Sequence, residues 1–195
     1  YFQSSVIDYD KDRSDRSTYK LLGGSIGFYG STLNTRQYAT KGYLEKLIAQ
    51  VFTGRERFEP GNPQEGYSPS PQERQSWLQI SYMKEAYHTM GPKFTLGWMA
   101  EALYSSKNFS ENYTATMMQA GEFAPTPHSK LMYNEAFRAN QYVAAGIKPI
   151  YVLNDMFQFR TEFYGFTPIF PIKKNALNKA YYGKAFSRFE YMGEV

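Results

Sequence analysis

The chain has 195 residues, no cysteine and a formal net charge of +4, with 42% hydrophobic and 21% charged residues. This balance excludes a largely disordered chain, and the lack of cysteine excludes disulfide frameworks and thiolate metal sites. No run approaches the roughly 18 apolar residues of a membrane-spanning helix, so a helical membrane protein is excluded as well. Aromatic residues make up 18%, and such rings collect at membrane interfaces, sugar-binding faces and protein interfaces.

The two chain ends suggest where this sequence sits in a longer protein. Residues 1–4 lack an initiator Met and a signal-peptide pattern, and they match the end of a common cleavage tag. Whether they are native is left open. Residues 189–195 stop within a strand-like pattern. We therefore expect a fragment or a mature piece, with residues 1–195 belonging to one domain.

Alternation of apolar and polar residues with period two predicts about seven strands. Each is near the roughly 9–11 residues that a tilted membrane strand requires. In chain order they cover residues 22–32, 43–53, 77–88, 94–104, 142–153, 157–164 and 185–195.

The connections between these strands alternate in length. Tight turns are predicted at residues 89–92 and 154–155, where Gly, Pro, Asn and Asp occur. Long connections are predicted at 54–75, 105–140 and 167–183. Short turns at one end and long loops at the other are typical of transmembrane β-barrels.

The strand at 94–104 alternates most clearly, and its apolar row is predicted to face lipid while its other row faces a lumen. The two rows are Phe94, Leu96, Trp98, Ala100, Ala102 and Tyr104 against Thr95, Gly97, Met99 and Glu101. The strand at 157–164 repeats the pattern, with Phe157, Phe159, Thr161 and Phe163 against Gln158, Arg160, Glu162 and Tyr164.

These features predict an all-β fold, an antiparallel transmembrane β-barrel segment of about seven or eight meandering strands. A soluble β-sandwich that binds glycans through its aromatic residues is the alternative from another class. A sandwich would turn its apolar face inward and its polar face outward.

The sequence offers little catalytic chemistry. Residues 23–27 match a Gly-x-Ser-x-Gly nucleophile elbow around Ser25, but alternation continues through them, whereas an elbow needs a sharp strand-to-helix turn. No Asp-Gly pair supplies a dyad partner. We interpret the match as accidental and expect no catalytic residue in this chain.

Metal, cofactor and nucleic-acid sites are likewise not expected. His88 and His128 have no acidic residue at ligand spacing, and the acidic run at 8–15 is interleaved with basic residues, as in a solvated loop. The Lys and Arg residues are scattered, so no nucleic-acid partner is predicted.

Several short motifs, in order along the chain, resemble those of a known superfamily. Residues 32–42, TLNTRQYATKG, resemble a periplasmic hairpin of the BamA-like surface-antigen barrels. Residues 134–141, NEAFRANQ, and the Ala-Ala-Gly at 144–146 resemble its inward-folded outer loop and the following strand. With PTPHSK at 125–130, the whole chain resembles the C-terminal barrel of Bacteroidetes patatin-like phospholipases.

The resemblance implies a segment of a sixteen-stranded barrel in the bacterial outer membrane. It would anchor, or help export, an attached patatin-like phospholipase whose Ser-Asp dyad lies outside this chain. The implied partners are outer-membrane lipid and a patatin domain or other outer-membrane proteins. A BamA- or TamA-like insertion or translocation barrel without an enzyme domain remains an alternative.

The resemblance also implies one structural site. Arg138 is the position that matches the loop arginine of the superfamily. Because a buried arginine needs a carboxylate partner, Glu162 and Glu190 are the expected partners that lock the 105–140 loop inside the barrel.

Overall fold

A computed structural model describes residues 15–61, 73–154 and 157–194. Residues 1–4, the acidic run up to residue 14 and Asp155 of the predicted turn lie outside these ranges. Within them the chain is mostly antiparallel β-structure, which confirms the all-β prediction.

The described residues form twelve strands, one helix and two 3-10 turns. The strands are β1 (Arg16–Ser31), β2 (Gly42–Glu59), β3 (Glu73–Thr89), β4 (Phe94–Ser105), β5 (Gly121–Glu122), β6 (Arg138–Ala139), β7 (Gln141–Val152), β8 (Gln158–Arg160), β9 (Glu162–Pro168), β10 (Ile172–Lys174), β11 (Ala180–Tyr182) and β12 (Glu190–Glu194). One helix, α1 (Tyr113–Gln119), and two short 3-10 turns, Ser129–Leu131 and Glu135–Phe137, lie between β4 and β6.

Eight of these strands form one sheet. Its order is β1-β2-β3-β4-β7-β9-β12, and β8 also pairs with β7. Every pairing is antiparallel, and β5–β6 and β10–β11 form two small separate ladders. Among the described residues the sheet does not close on itself, and β1 and β12 are its edges. None of the described helices is long and apolar enough to cross a membrane.

The first three strands are longer than predicted. β1 begins at Arg16 and β2 continues to Glu59, and they pair in one register from Arg16↔Glu59 to Ser31↔Leu44. The prediction followed apolar alternation, which stops near Thr53, whereas the backbone ladder continues through alternating charged residues. The predicted 54–75 connection is therefore too long.

The strand predicted at 157–164 is divided at Thr161. Its two parts, β8 and β9, keep the same register on β7. Thr161 lies opposite Pro149, which has no N–H to donate, so the ladder is interrupted there although the Thr161 N–H still donates to the Pro149 carbonyl over 3.1 Å.

The last predicted strand is shorter than expected. Only Glu190–Glu194 pairs, with β9. Phe186 has a φ of +50°, a left-handed conformation that a strand does not accommodate, so the stretch before Glu190 leaves the sheet.

The sheet has two unlike faces. One, called the inner face, is covered by segment 106–140 between β4 and β7. Phe123, Phe137 and Ala139 from that segment pack on it, as expected for an inward-folded connection. Their partners from the sheet are Met99, Leu103, Tyr142, Ala144, Tyr164 and Phe166.

The opposite, outer face is apolar, and none of the described segments covers it. The Phe94 row, predicted to face lipid, lies on it, and Thr95, Gly97 and Glu101, predicted to face a lumen, lie with Met99 on the inner face. Neighbouring strands continue the outer apolar surface. Its exposed members include Leu22, Ile26, Phe28, Leu47, Val51, Ile80, Val143, Ile147, Phe163 and Tyr191.

Candidate functional site

Arg138 connects parts of segment 106–140 to one another, since its side-chain contacts all lie within that segment. Its Nη2 donates to Glu122 Oε2 over 2.6 Å, and its Nη1 donates to carbonyls at the end of α1, including that of Met118 at 3.2 Å. The guanidinium also lies over the Tyr133 ring at 4.7 Å. Arg138 thus caps carbonyls that a helix C-terminus leaves unsatisfied.

The carboxylate partner of Arg138 differs from the expected ones. Glu122 lies directly across the β5–β6 ladder from Arg138. Glu162 instead pairs with Arg160 at 3.2 Å, and Glu190 lies 3.6 Å from Arg188. The expected pairing of Arg138 with Glu162 or Glu190 is therefore wrong. Each of those glutamates is paired with an arginine two residues before it in the chain, and the β5–β6 hairpin places Glu122 next to Arg138.

Helix α1 is fixed at its start as well as at its end. The Asn112 side chain caps it by accepting from the Ala115 N–H over 2.7 Å. The Tyr113 hydroxyl donates to the Glu135 carboxylate. Burial raises the pKa of Tyr113, and this carboxylate raises it further. The phenol therefore remains a donor across the physiological pH range.

The stretch before β12 and strand β7 also hold the segment. Arg188 Nη2 donates to the Ala136 carbonyl over 2.8 Å. On β7, the Tyr142 hydroxyl donates to Glu101 over 2.5 Å and lies 3.2 Å from the Glu122 carbonyl oxygen. The segment is thus tied to β7 and to the stretch that precedes β12.

A second charged cluster lies on the inner face nearer the short-turn end. Lys148 on β7 is only 4% exposed and donates to Glu85 on β3 over 2.8 Å. The contact crosses β4 at Gly97, which is paired with Tyr87 on one side and Lys148 on the other. A Cβ at Gly97 would stand 2.6 Å from the Tyr87 ring. The missing side chain therefore leaves room for the contact.

The turn between β1 and β2, residues 32–41, folds under this cluster. Ala39 is buried against Tyr87 and Ile150, and its carbonyl accepts from Arg160 Nη2 over 2.5 Å. Arg160 connects this turn to Glu162, whose carboxylate also accepts from the Tyr164 hydroxyl. The inner face is therefore closed over its charges at this end.

Segment 106–140 is anchored at its start by Lys107. Its ammonium lies 4.8 Å from the centre of the Trp77 ring and 5.6 Å from that of Tyr19. Burial lowers the pKa of Lys107 to about 8, against a smaller opposing effect of Glu56. Glu56, itself 5% exposed, accepts from the Tyr19 hydroxyl over 2.8 Å.

The other residues singled out in the sequence do not assemble into chemistry. Ser25 lies in the middle of β1, opposite Gln50 in an unbroken ladder. His88 accepts from the Trp98 indole over 3.3 Å, and His128 contacts Glu194 at 2.5 Å. Among the described residues no three metal-ligating side chains come together.

Sequence patterns missed the most buried of these charges. Lys148 occupies an ordinary polar position of an alternating strand, and its partner lies 63 residues earlier. The signal that could have found it is Gly97, a glycine inside a clearly alternating strand, which marks a close approach of neighbours. What the arrangement can do is mechanical: it pins one connection onto one face of a sheet.

No family model, curated protein or solved structure matches this chain.

Proposed function

We propose that this chain is part of a bacterial outer-membrane β-barrel, and that it anchors, or helps export, an attached patatin-like phospholipase. The observation that carries the membrane assignment is the polarity of the sheet. Lys148 on the inner face is 4% exposed, whereas Ile26 and Ile147 on the outer face are 78% and 51% exposed. A water-soluble sheet with one solvated face places polar residues on that face, whereas here the exposed face is apolar.

The apolar surface also has the dimensions that a bilayer requires. The outer row of β4 runs from Phe94 to Tyr104 without a charged residue. At about 3.3 Å per residue it is about 33 Å long. With a strand tilt of about 40° it would cover about 25 Å of membrane thickness, the height of the apolar band of such barrels.

Tyrosines lie towards both margins of this surface, with Tyr104 at one end of β4 and Tyr151 opposite Phe94 at the other. Aromatic rings with a polar tip favour both membrane interfaces. Lys84 and Glu45, 3.9 Å apart, are the charged pair within the band, and Tyr82 donates to that glutamate over 2.6 Å. A lipid environment requires such pairing of charges.

In lipid, the free edges at β1 and β12 must be paired, because unsatisfied backbone groups are costly there. The proposal therefore includes further strands, supplied by the same polypeptide or by another, that complete a sixteen-stranded barrel. The inner-face charges would line its lumen, and segment 106–140 would fill it.

The test compares an arginine on each face. Trp98→Arg should destabilise the protein folded in lipid vesicles by about 2–4 kcal/mol if Trp98 is near the midplane. Gly97→Arg is an unsuitable control, because a side chain there would collide with the Tyr87 ring. Gln50→Arg, on the less covered inner face of β2, should have little effect.

The readouts are the free energy of unfolding in vesicles and the requirement for detergent. Equal effects of the two arginines would contradict the proposal. So would a chain that stays folded and monodisperse in detergent-free buffer, which is the result expected for the glycan-binding sandwich.

The phospholipase in this proposal rests on the sequence resemblance. The purified chain should not hydrolyse ester substrates, and Ser25→Ala should leave the activity of a polypeptide that also carries the hydrolase intact. Turnover by this chain that disappears in Ser25→Ala would contradict it. Loss of other outer-membrane proteins from cells lacking the polypeptide would favour the insertion or translocation alternative.

A further inference from the structure

Three basic residues lie side by side at the long-loop end of the outer face. Lys20 on β1 is directly opposite Arg55 on β2, and Arg55 is directly opposite Arg74 on β3. Directly paired residues share a face, and the register places these three on the same face as Val51 and Leu78. Neighbouring strands are about 4.8 Å apart, so the backbone positions of the three residues lie within about 10 Å.

Within the described part of the chain, no carboxylate pairs with this row. All three side chains are exposed, and none forms a hydrogen bond or ion pair with another described side chain. One row further from the band, Arg57 pairs with Glu59 at 2.9 Å. Like charges directly opposite each other destabilise a sheet, so the arrangement favours an external anion.

The rows below the cations change stepwise from polar to apolar. The next row contains Leu22, Thr53 and Ser76, and the two hydroxyls lie 2.9 Å apart. The row after that contains Gly24, Val51 and Leu78. A Cβ at Gly24 would meet nothing within 4 Å, so the surface there is open.

A shallow depression of about 530 Å³ lies at this position, and its walls include the three cations, Leu22 and Thr53. The order of these rows matches the order of groups in a phospholipid-like amphiphile. The cations match its phosphate, the hydroxyls match its glycerol or sugar, and the open hydrocarbon surface matches its acyl chain. The long-loop end is the outer-leaflet end in the proposed orientation.

From this order we infer that Lys20, Arg55 and Arg74 form a binding site for the phosphomonoester headgroup of a lipid, whose acyl chain lies along Leu22, Gly24 and Val51. Arg55, between two other cations, contacts the phosphate most directly. The inference rests on the proposed membrane location. It adds a ligand class and a defined place on the barrel surface.

The test uses the full chain folded in dodecyl maltoside micelles, with native mass spectrometry to count bound lipid. Dioleoyl phosphatidic acid is the probe, dioleoyl phosphatidylcholine is the zwitterionic comparison, and inorganic phosphate is the competitor. Phosphatidic acid should bind at least tenfold more tightly than phosphatidylcholine. Inorganic phosphate at equal concentration should not displace it, because it lacks the acyl chains.

The variant Lys20→Gln/Arg55→Gln/Arg74→Gln should lose at least tenfold in affinity for phosphatidic acid, and Arg55→Gln should account for the largest single part. A matched control removes three exposed cations from the short-turn end, Arg36→Gln/Lys41→Gln/Lys93→Gln. It should stay within twofold of the unmodified chain. All proteins are checked for folding by heat-dependent gel mobility.

Several outcomes would overturn the inference: undiminished binding by the triple variant, an equal loss in the control, equal binding of phosphatidylcholine, or displacement by inorganic phosphate at equal concentration. The last would indicate a free-anion site. The requirement for detergent is measured on the same samples. A chain that needs no detergent contradicts the membrane proposal, whereas a chain that needs detergent but fails the lipid-binding test contradicts only the lipid site.

Discussion

The inner face is packed over β4, β7 and β9 but largely open over β1 and β2. Phe166 and Tyr142 in the packed part are almost completely buried, whereas Tyr29 on the same face of β1 is 65% exposed. Both parts have antiparallel ladders in constant register, interrupted in the packed part only at Thr161. Backbone pairing alone therefore forms this sheet, and the tertiary core depends on where segment 106–140 lies.

The largest effect is expected where the packed part buries an ion pair. Glu85→Ala leaves Lys148 charged and without its partner, which should lower the free energy of unfolding in detergent by about 3–5 kcal/mol. Replacing both with apolar residues, Glu85→Ala/Lys148→Met, should cost less. Lys46→Ala on the open inner face should change it by under about 1 kcal/mol, and urea titration measures all four proteins.

A smaller loss is expected from the aromatic centre of the segment. The Phe123 ring lies within 6.4 Å of the rings of Phe137, Tyr142, Tyr164 and Phe166. Phe123→Ala should lower the free energy of unfolding by about 3–4 kcal/mol, within the range for buried aromatic truncations, as measured by thermal unfolding. Tyr29→Ala on the open part should cost far less. Equal losses would remove the distinction between the two parts.

Arg138→Ala should have an intermediate effect of about 2 kcal/mol, because it removes charge-assisted hydrogen bonds to Glu122 and to the end of α1. Limited proteolysis should show cleavage in segment 106–140 before the strands are lost. Arg138→Lys should rescue only part of the loss, since an ammonium cannot make the forked contact. Arg74→Ala is the control and should leave the segment protected.

The last prediction concerns Lys107 and the pH dependence of stability. Its pKa is lowered to about 8 in the folded chain, while the unfolded lysine keeps its ordinary pKa of about 10.4. Between these values the unfolded state binds more protons, so this residue contributes rising stability as pH increases from about 8 to 10. Lys107→Met should abolish that part of the pH dependence, as measured by unfolding at a series of pH values.

Much of the sheet follows from local pattern. The strands at 94–104 and 142–153 coincide closely with β4 and β7, because alternation and flanking turns act over short distances. The orientation of the Phe94 row was equally predictable, since one row is uniformly apolar. The charged extensions of β1 and β2 were missed because exposed ladder residues need no apolar character.

The contacts of the site were less predictable. The choice of Glu122 by Arg138 depends on a ladder of two residue pairs, which leaves no periodic signal. The Lys148–Glu85 contact depends on two strands that are neighbours of β4 rather than of each other. Such partners are fixed by the path of segment 106–140 and by the order of strands, and neither is encoded in a local window.

That strand order also has a kinetic consequence. β1 to β4 pair with sequence neighbours, but the β4–β7 seam closes only when the ends of segment 106–140 meet. By loop-closure entropy this seam costs about 1 kcal/mol more than the 32–41 turn. We expect β1–β4 and β7–β12 to form as separate units, with their joining as the slow step. Segment 106–140, whose length delays the joining of the two units, is also the segment that covers the β4–β7 seam once it has formed.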